Sequence, residues 1–164
     1  MTKTIIFLVV VFSASVFGSN SIIAIVGDKI ISTNQLDFYT SPNMTKKDKL
    51  GILNKIIDEN IENKKIIQFD IKPNTDLIKS KLIQVAKTKS LSIEEFVATA
   101  DYKLTLEKIK YQVTKLALKQ FIIEREIKNN NNIADTSDYE KIYSDWLEKV
   151  KQKIFIEIYE EKLK

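Results

Sequence analysis

The apolar positions of this chain change their period as it runs, and each change predicts an element. Ile22-Ile23-Ala24-Ile25-Val26 is a short, mostly β-branched run, and Lys29-Ile30-Ile31-Ser32 follows it across Gly27-Asp28. Two such runs around a Gly-X pair predict a β-hairpin, with Gly supplying the positive φ of a tight turn. Two strands alone are marginally stable, so the hairpin is expected to lie against helices. Ser32 and Gln35 have capping-box spacing and open a short helix, although Thr33 or Asn34 could also cap it. Ser41-Pro42-Asn43 stops that helix.

From about Thr45 the period turns helical. Leu50, Leu53, Ile57 and Ile61 recur at three and four residues and predict a helix reaching Phe69. Asn74 or Thr75 caps the next helix, whose buried side is expected at Leu77, Ile78, Leu82, Ile83, Val85 and Ala86. Thr88-Lys89-Ser90 breaks it. Ser92 with Glu95 forms a second capping box and opens a short helix carrying Phe96 and Val97. Tyr102 to about Lys128 is the clearest amphipathic stretch, with a stripe of Leu106, Ile109, Val113, Leu116, Gln120, Ile123 and Ile127. Leu118, Phe121 and Ile122 fall outside the stripe, which predicts contacts on two sides. A four-Asn tract follows, and a last helix is expected from Ser137 to the end, with Tyr139, Ile142, Tyr143, Trp146, Val150, Ile154 and Ile158 as its stripe. A terminal helix with that much apolar surface has to dock on something.

The elements predict a mostly α protein with a short N-terminal β-hairpin and a C-terminal helix packing back on the core. One domain over residues 19–164 is expected: a core at 22–128, a linker at 129–136 and a returning helix at 137–164. Hydrophobic residues at 44% and charged residues at 29% suit a folded domain. Three Gly and two Pro leave few forced breaks, so helices run long.

Ahead of the hairpin, Lys3 precedes an apolar run from Ile5 to Phe12, and Ser13, Ala14, Ser15, Val16, Phe17 and Gly18 follow. That order is the signature of a secretory signal peptide. Cleavage is expected after Gly18, which places the mature chain in the periplasm. The alternative is an uncleaved membrane anchor, and contact with a membrane is expected only in that case. The run to Phe17 is shorter than the ~20 residues a spanning helix needs.

Charge and composition narrow the chemistry. Arg125 is the one arginine among 26 basic residues, and the abundance of Lys, Ile and Asn looks like the codon bias of an AT-rich genome. The net charge is +4, the positive residues are interleaved with acids, and no basic face is expected; nucleic-acid binding is therefore not expected. The chain has no Cys and no His, which removes disulfides, thiolate nucleophiles, imidazole bases and the usual zinc ligands. Glu94-Glu95 and Glu160-Glu161 are adjacent acids on stretches that read as helix, so they point about 100° apart and do not converge. No catalytic residue, metal or cofactor is expected.

In order along the chain, these features resemble the N-terminal chaperone domain of the SurA family, periplasmic parvulin-type foldases that escort outer-membrane proteins. Ile23-Ala24-Ile25-Val26-Gly27-Asp28-Lys29-Ile30-Ile31-Ser32-Thr33-Asn34-Gln35-Leu36-Asp37 is similar to the phrase with which such proteins open, with Gly27 where Asn is common. Leu53 to Ile61 resembles the family's next helix, and Lys87 to Phe96 its following turn. The likeness covers residues 22–129. Where family members carry parvulin domains, this chain has the Asn-rich linker, and the helix around Trp146 is similar to their returning C-terminal segment. The resemblance implies an ATP-independent chaperone that holds unfolded or outer-membrane polypeptides and has no prolyl isomerase activity.

Such a module needs apolar and aromatic contact rimmed by polar groups. Phe38, Tyr39, Phe96, Tyr102, Tyr111, Tyr143 and Trp146 are the candidates, against the other reading that each packs in the core. A different class of function, a helical structural or assembly protein of the cell envelope acting through a homodimer or larger oligomer, is the alternative.

Overall fold

A computed structural model describes residues 20–129 and 139–163. The expected leader at 1–18, most of the expected linker and the first two residues of the expected last helix lie outside the described residues. The described chain is 68% helical with one small sheet, which is the mostly α class expected.

Strands β1 (Ile22–Val26) and β2 (Lys29–Ser32) form the hairpin. Gly27 sits at its turn with φ +58, in the left-handed region that Gly enters without cost and Asn more readily than most residues. Helix α1 (Thr33–Asp37) follows at once, its start held by the Ser32 N–H donating to Gln35 Oε1 at 3.0 Å. Helix α2 (Lys46–Gln68) starts on a capping box between Thr45 and Asp48. Helix α3 (Thr75–Thr88) is capped by Asn74, whose Oδ1 accepts from the Leu77 N–H. Helix α4 (Ile93–Val97) starts on the Ser92–Glu95 box. Helix α5 (Asp101–Asn129) is the longest element, and α6 (Tyr139–Lys151) packs on it.

Both α2 and α3 end on left-handed residues that are not glycine. Asp70 has φ 50 and Ser90 φ 58. After α2, the Ile71 N–H donates to the Ile66 carbonyl and Asp70 N–H to that of Ile67; after α3, Leu91 and Ser90 do the same to Ala86 and Lys87. These are Schellman closures, with an apolar residue just past each turn.

The C-terminus departs from the expectation. Helix α6 stops at Lys151, and Ile156–Ile158 form a third strand, β3, antiparallel to β1, in a sheet of order β2-β1-β3. A short 3-10 helix, Glu160–Lys162, follows. Ile154 and Ile158 are four apart, a spacing that fits the helical period and the strand period alike. Ile154, Ile156 and Ile158 alternate with Phe155 and Glu157, which is the strand pattern. Backbone bonds from Gly27 N–H to the Phe155 carbonyl and from Tyr159 N–H to the Ile23 carbonyl extend the ladder at both ends.

Helix α5 carries two hydrophobic clusters. Its first half supplies Ile109 and Val113 to a cluster with Ile78, Leu82 and Ala86 of α3 and Phe96 of α4. Its second half supplies Leu118 and Ile122 to the main core, with Ile23, Leu53, Ile61, Trp146 and Leu163 among its members. Leu118 and Ile122 are fully buried, whereas Leu116, expected on the buried stripe, is 51% exposed. Contact on two sides is therefore correct, but the deepest residues of the second half are those outside the expected stripe. The helix passes from one cluster to the other, so no single stripe describes its whole length.

Candidate functional site

Leu36 is buried and fixes α1 on the core. The chain then turns, with the Tyr39 N–H donating to the Leu36 carbonyl at 2.9 Å. That turn throws Phe38 and Tyr39 outward. Phe38 is 84% exposed and Tyr39 56%, and their rings meet edge to face at 5.3 Å. An unburied aromatic pair forgoes the apolar burial such rings usually supply to a core.

Together the two rings line an open cleft of about 420 Å³ with Asn34 and Gln35 from α1 and Ile56, Glu59, Asn60 and Asn63 from α2. Ile56, Asn60 and Asn63 recur at four and three residues along α2, so they share one face. Amides dominate the polar wall, and Glu59 is its one carboxylate. Amides both donate and accept, which suits the main chain of a bound segment. Tyr111 on α5 lies near this wall, close enough to Glu59 and Asn63 for both to influence its phenol, and is 37% exposed. Burial raises its phenol pKa despite the opposing charge of Lys115.

Of the seven aromatic candidates, the structure therefore brings Phe38 and Tyr39 together over one face of α2, with Tyr111 nearby. It does not bring the others there. Phe96 is fully buried and Tyr102 packs edge-on against it at 5.9 Å, both in the α3–α5 cluster. Trp146 is 5% exposed in the main core, stacked beside Tyr143 at 5.3 Å. Phe96 and Trp146 offer almost no surface to a ligand and serve packing. The amides of the cleft were not singled out from sequence. Their signal is the spacing of Ile56, Asn60 and Asn63, an apolar residue and two amides on one side of α2.

Behind the cleft, the same helix carries a charge network. Glu62 is 6% exposed; Lys115 Nζ lies 2.6 Å from its Oε2, and the Tyr143 hydroxyl donates to its Oε1 at 2.7 Å. Asp58 pairs with Lys151 at 2.6 Å. Lys119 pairs with Glu140 and lies 5.9 Å from the centre of the Tyr143 ring. Burial, and then the bond to Glu62, pushes the Tyr143 phenol far above its ordinary range. Burial works against the Lys115 ammonium, but the bond to Glu62 and the surrounding negative charge outweigh it and raise its pKa. Groups held in their protonated forms donate hydrogen bonds and do not take up protons. The network is thus suited to clamping α2, α5 and α6 together rather than to acid–base chemistry. Among the described residues, no group of three acids converges as a metal site would need.

Comparison of the sequence with family models and with curated proteins returns no match.

Proposed function

We propose that this chain is a polypeptide-binding module of the SurA chaperone type, exported to the periplasm, without ATP and without prolyl isomerase activity. The observation that carries the proposal is the exposed Phe38–Tyr39 pair, set over an amide-rich cleft and adjoined by Tyr111. Rigid aromatic rings offer large contact area at low entropy cost, and amides satisfy the main chain of an extended segment whatever its sequence. Unfolded or outer-membrane polypeptides are the partners this chemistry suits.

Two features of the fold lend further support. Gly27 occupies a left-handed position where the family commonly has Asn, the other residue such a turn accepts most readily. The C-terminal segment returns to the N-terminal unit, as the family's does, here with β3 pairing along β1 and α6 packing on α5.

The test is suppression of aggregation. The purified protein is expected to slow the aggregation of an unfolded outer-membrane protein at a near-stoichiometric ratio. No effect at several-fold excess rejects the proposal. The assembly alternative draws on a different place, the open cleft lined by Leu116, Ile123, Ile127 and Tyr139 between α5 and α6. A stable dimer whose contacts cover that cleft, with no effect on aggregation, favours it.

A further inference from the structure

Basic residues that are scattered in sequence meet at one end of the molecule. The hairpin tip, the C-terminus of α2 and the turn between α6 and β3 enclose two open cavities that share Ile154, of about 430 and 420 Å³. Their walls hold Lys29, Lys64, Lys65, Arg125, Lys149 and Lys153 against two carboxylates, Asp28 and Glu126. Six cations less two anions leave +4 here, as much as the formal charge of the whole chain. The expectation that no basic face exists is therefore overturned. Interleaving along the chain does not prevent clustering in space, because β2, α2, α5 and α6 each deliver lysines or arginine to the same end.

Helix-dipole complementarity accounts for part of this. Lys65 stands in the last turn of α2 and Lys149 in the last turn of α6. It does not account for Lys29 on β2 or Lys153 beyond α6. Lys29, Lys149 and Lys153 are exposed and make no ion pair with any described residue. Like charges brought together without local partners repel, so their natural complement is an external anion.

Apolar tips stand among these cations. Ile67, in the wall of the first cavity, is 80% exposed. Phe155, next to the shared Ile154 and bonded through its carbonyl to the Gly27 N–H, is 63% exposed. We propose that this end of the molecule docks on an anionic lipid bilayer, its lysines on the headgroups and Ile67 and Phe155 dipping into the interface. Exposed lysines around apolar tips are the composition of interfacial membrane binding. A nucleic acid fits less well. Five of the six cations are lysines, and the Phe69 ring in the wall of the second cavity already lies against Arg125 and Lys65, at 5.2 and 5.7 Å. The first cavity shares Asn60 and Asn63 with the wall of the Phe38–Tyr39 cleft, but the proposal draws on neither residue.

The test is sedimentation of the full chain with vesicles. Vesicles of phosphatidylcholine and phosphatidylglycerol in equal parts are compared with vesicles of phosphatidylcholine alone. Tighter binding to the anionic vesicles, about tenfold or more, is expected at low salt, and its loss at about 0.5 M NaCl. Lys149→Glu with Lys153→Glu weakens that binding by about tenfold or more, while Lys103→Glu with Lys108→Glu, an equal charge change on the far half of α5, leaves it intact. All variants keep the first 19 residues, so any contribution from them is common to every arm. Lys29→Glu with Phe155→Ser, which leaves α6 itself unchanged, is expected to lose binding likewise and serves if the first pair fails to fold. Equal binding to both vesicle types, equal losses in the two charge-reversed pairs, or tighter binding to a single-stranded oligonucleotide or to polyglutamate overturns the proposal.

Discussion

The Tyr143 hydroxyl donates a 2.7 Å hydrogen bond to the buried carboxylate of Glu62, joining α6 to α2 across 81 residues of sequence. Lys115 of α5 completes the junction at 2.6 Å. Three helices thus meet on one charged group, and the C-terminal segment is tied into the domain by a polar clamp as well as by Trp146, Leu147 and Leu163 in the main core.

Removing the hydroxyl measures the clamp. Tyr143→Phe keeps the ring against Trp146 and leaves Glu62 with Lys115 alone. A hydrogen bond to a buried charge is worth about 1.5–3 kcal/mol, so Tm falls by roughly 5–10 °C. Calorimetry checks this; an unchanged Tm shows that the bond contributes nothing.

The same groups set the alkaline limit of stability. Tyr143, Lys115 and Lys151 all have pKa values raised by folding, in each case against or with burial and with a carboxylate partner favouring the protonated form. A raised pKa gives stability that is fully present below the unfolded value and is lost as pH rises through the folded one. The part of the unfolding free energy that these three groups supply, read from urea titrations, therefore stays level below about pH 10 and declines above it, while the lowered carboxylates of Asp28, Glu95 and Asp101 place a separate loss at acid pH. In Tyr143→Phe the decline is shallower. An identical decline in both proteins contradicts the role given to Tyr143.

The two left-handed helix ends carry removable strain. Asp70 and Ser90 hold φ values of 50 and 58 with a Cβ in place. Ser90→Gly relieves this and stabilises the protein by about 1 kcal/mol, or about 2–4 °C in Tm, and Asp70→Gly acts in the same direction. A fall in Tm for Ser90→Gly contradicts the account of that turn.

Deleting residues 155–164 removes β3 and Leu163 from a core that holds Ile23, Ala24 and Val26 on the facing strand. The melting transition is expected to lose cooperativity, as seen by circular dichroism. A sharp transition at the original temperature shows that β3 only decorates the sheet.

Much of the fold was legible because its local rules agree. Gly27, the Ser32–Gln35 and Ser92–Glu95 boxes and the Asn74 cap each mark a boundary that the structure keeps. The C-terminus was misread because Ile154 and Ile158 satisfy two periods at once, and only pairing with β1 decides between them. The inner face of α5 was misread because its two halves serve different clusters. Of the site, the aromatic residues were visible and their exposure was not. Phe38 closes the short capped helix α1 and Phe96 lies within the short capped helix α4, yet tertiary packing leaves one 84% exposed and the other fully buried. The basic end was invisible for the same reason, since no stretch of sequence contains it.

The most direct measurement is the affinity of a fluorescently labelled unfolded outer-membrane polypeptide for the wild-type protein and for Phe38→Ser with Tyr39→Ser, read by anisotropy. Both side chains are exposed, so the variant keeps its Tm to within a few degrees. The wild type is expected to bind and the variant to bind about tenfold more weakly or worse, the loss of two aromatic contacts. Equal affinities in two equally stable proteins, or no binding by the wild type, contradict the assignment of this cleft to polypeptide recognition.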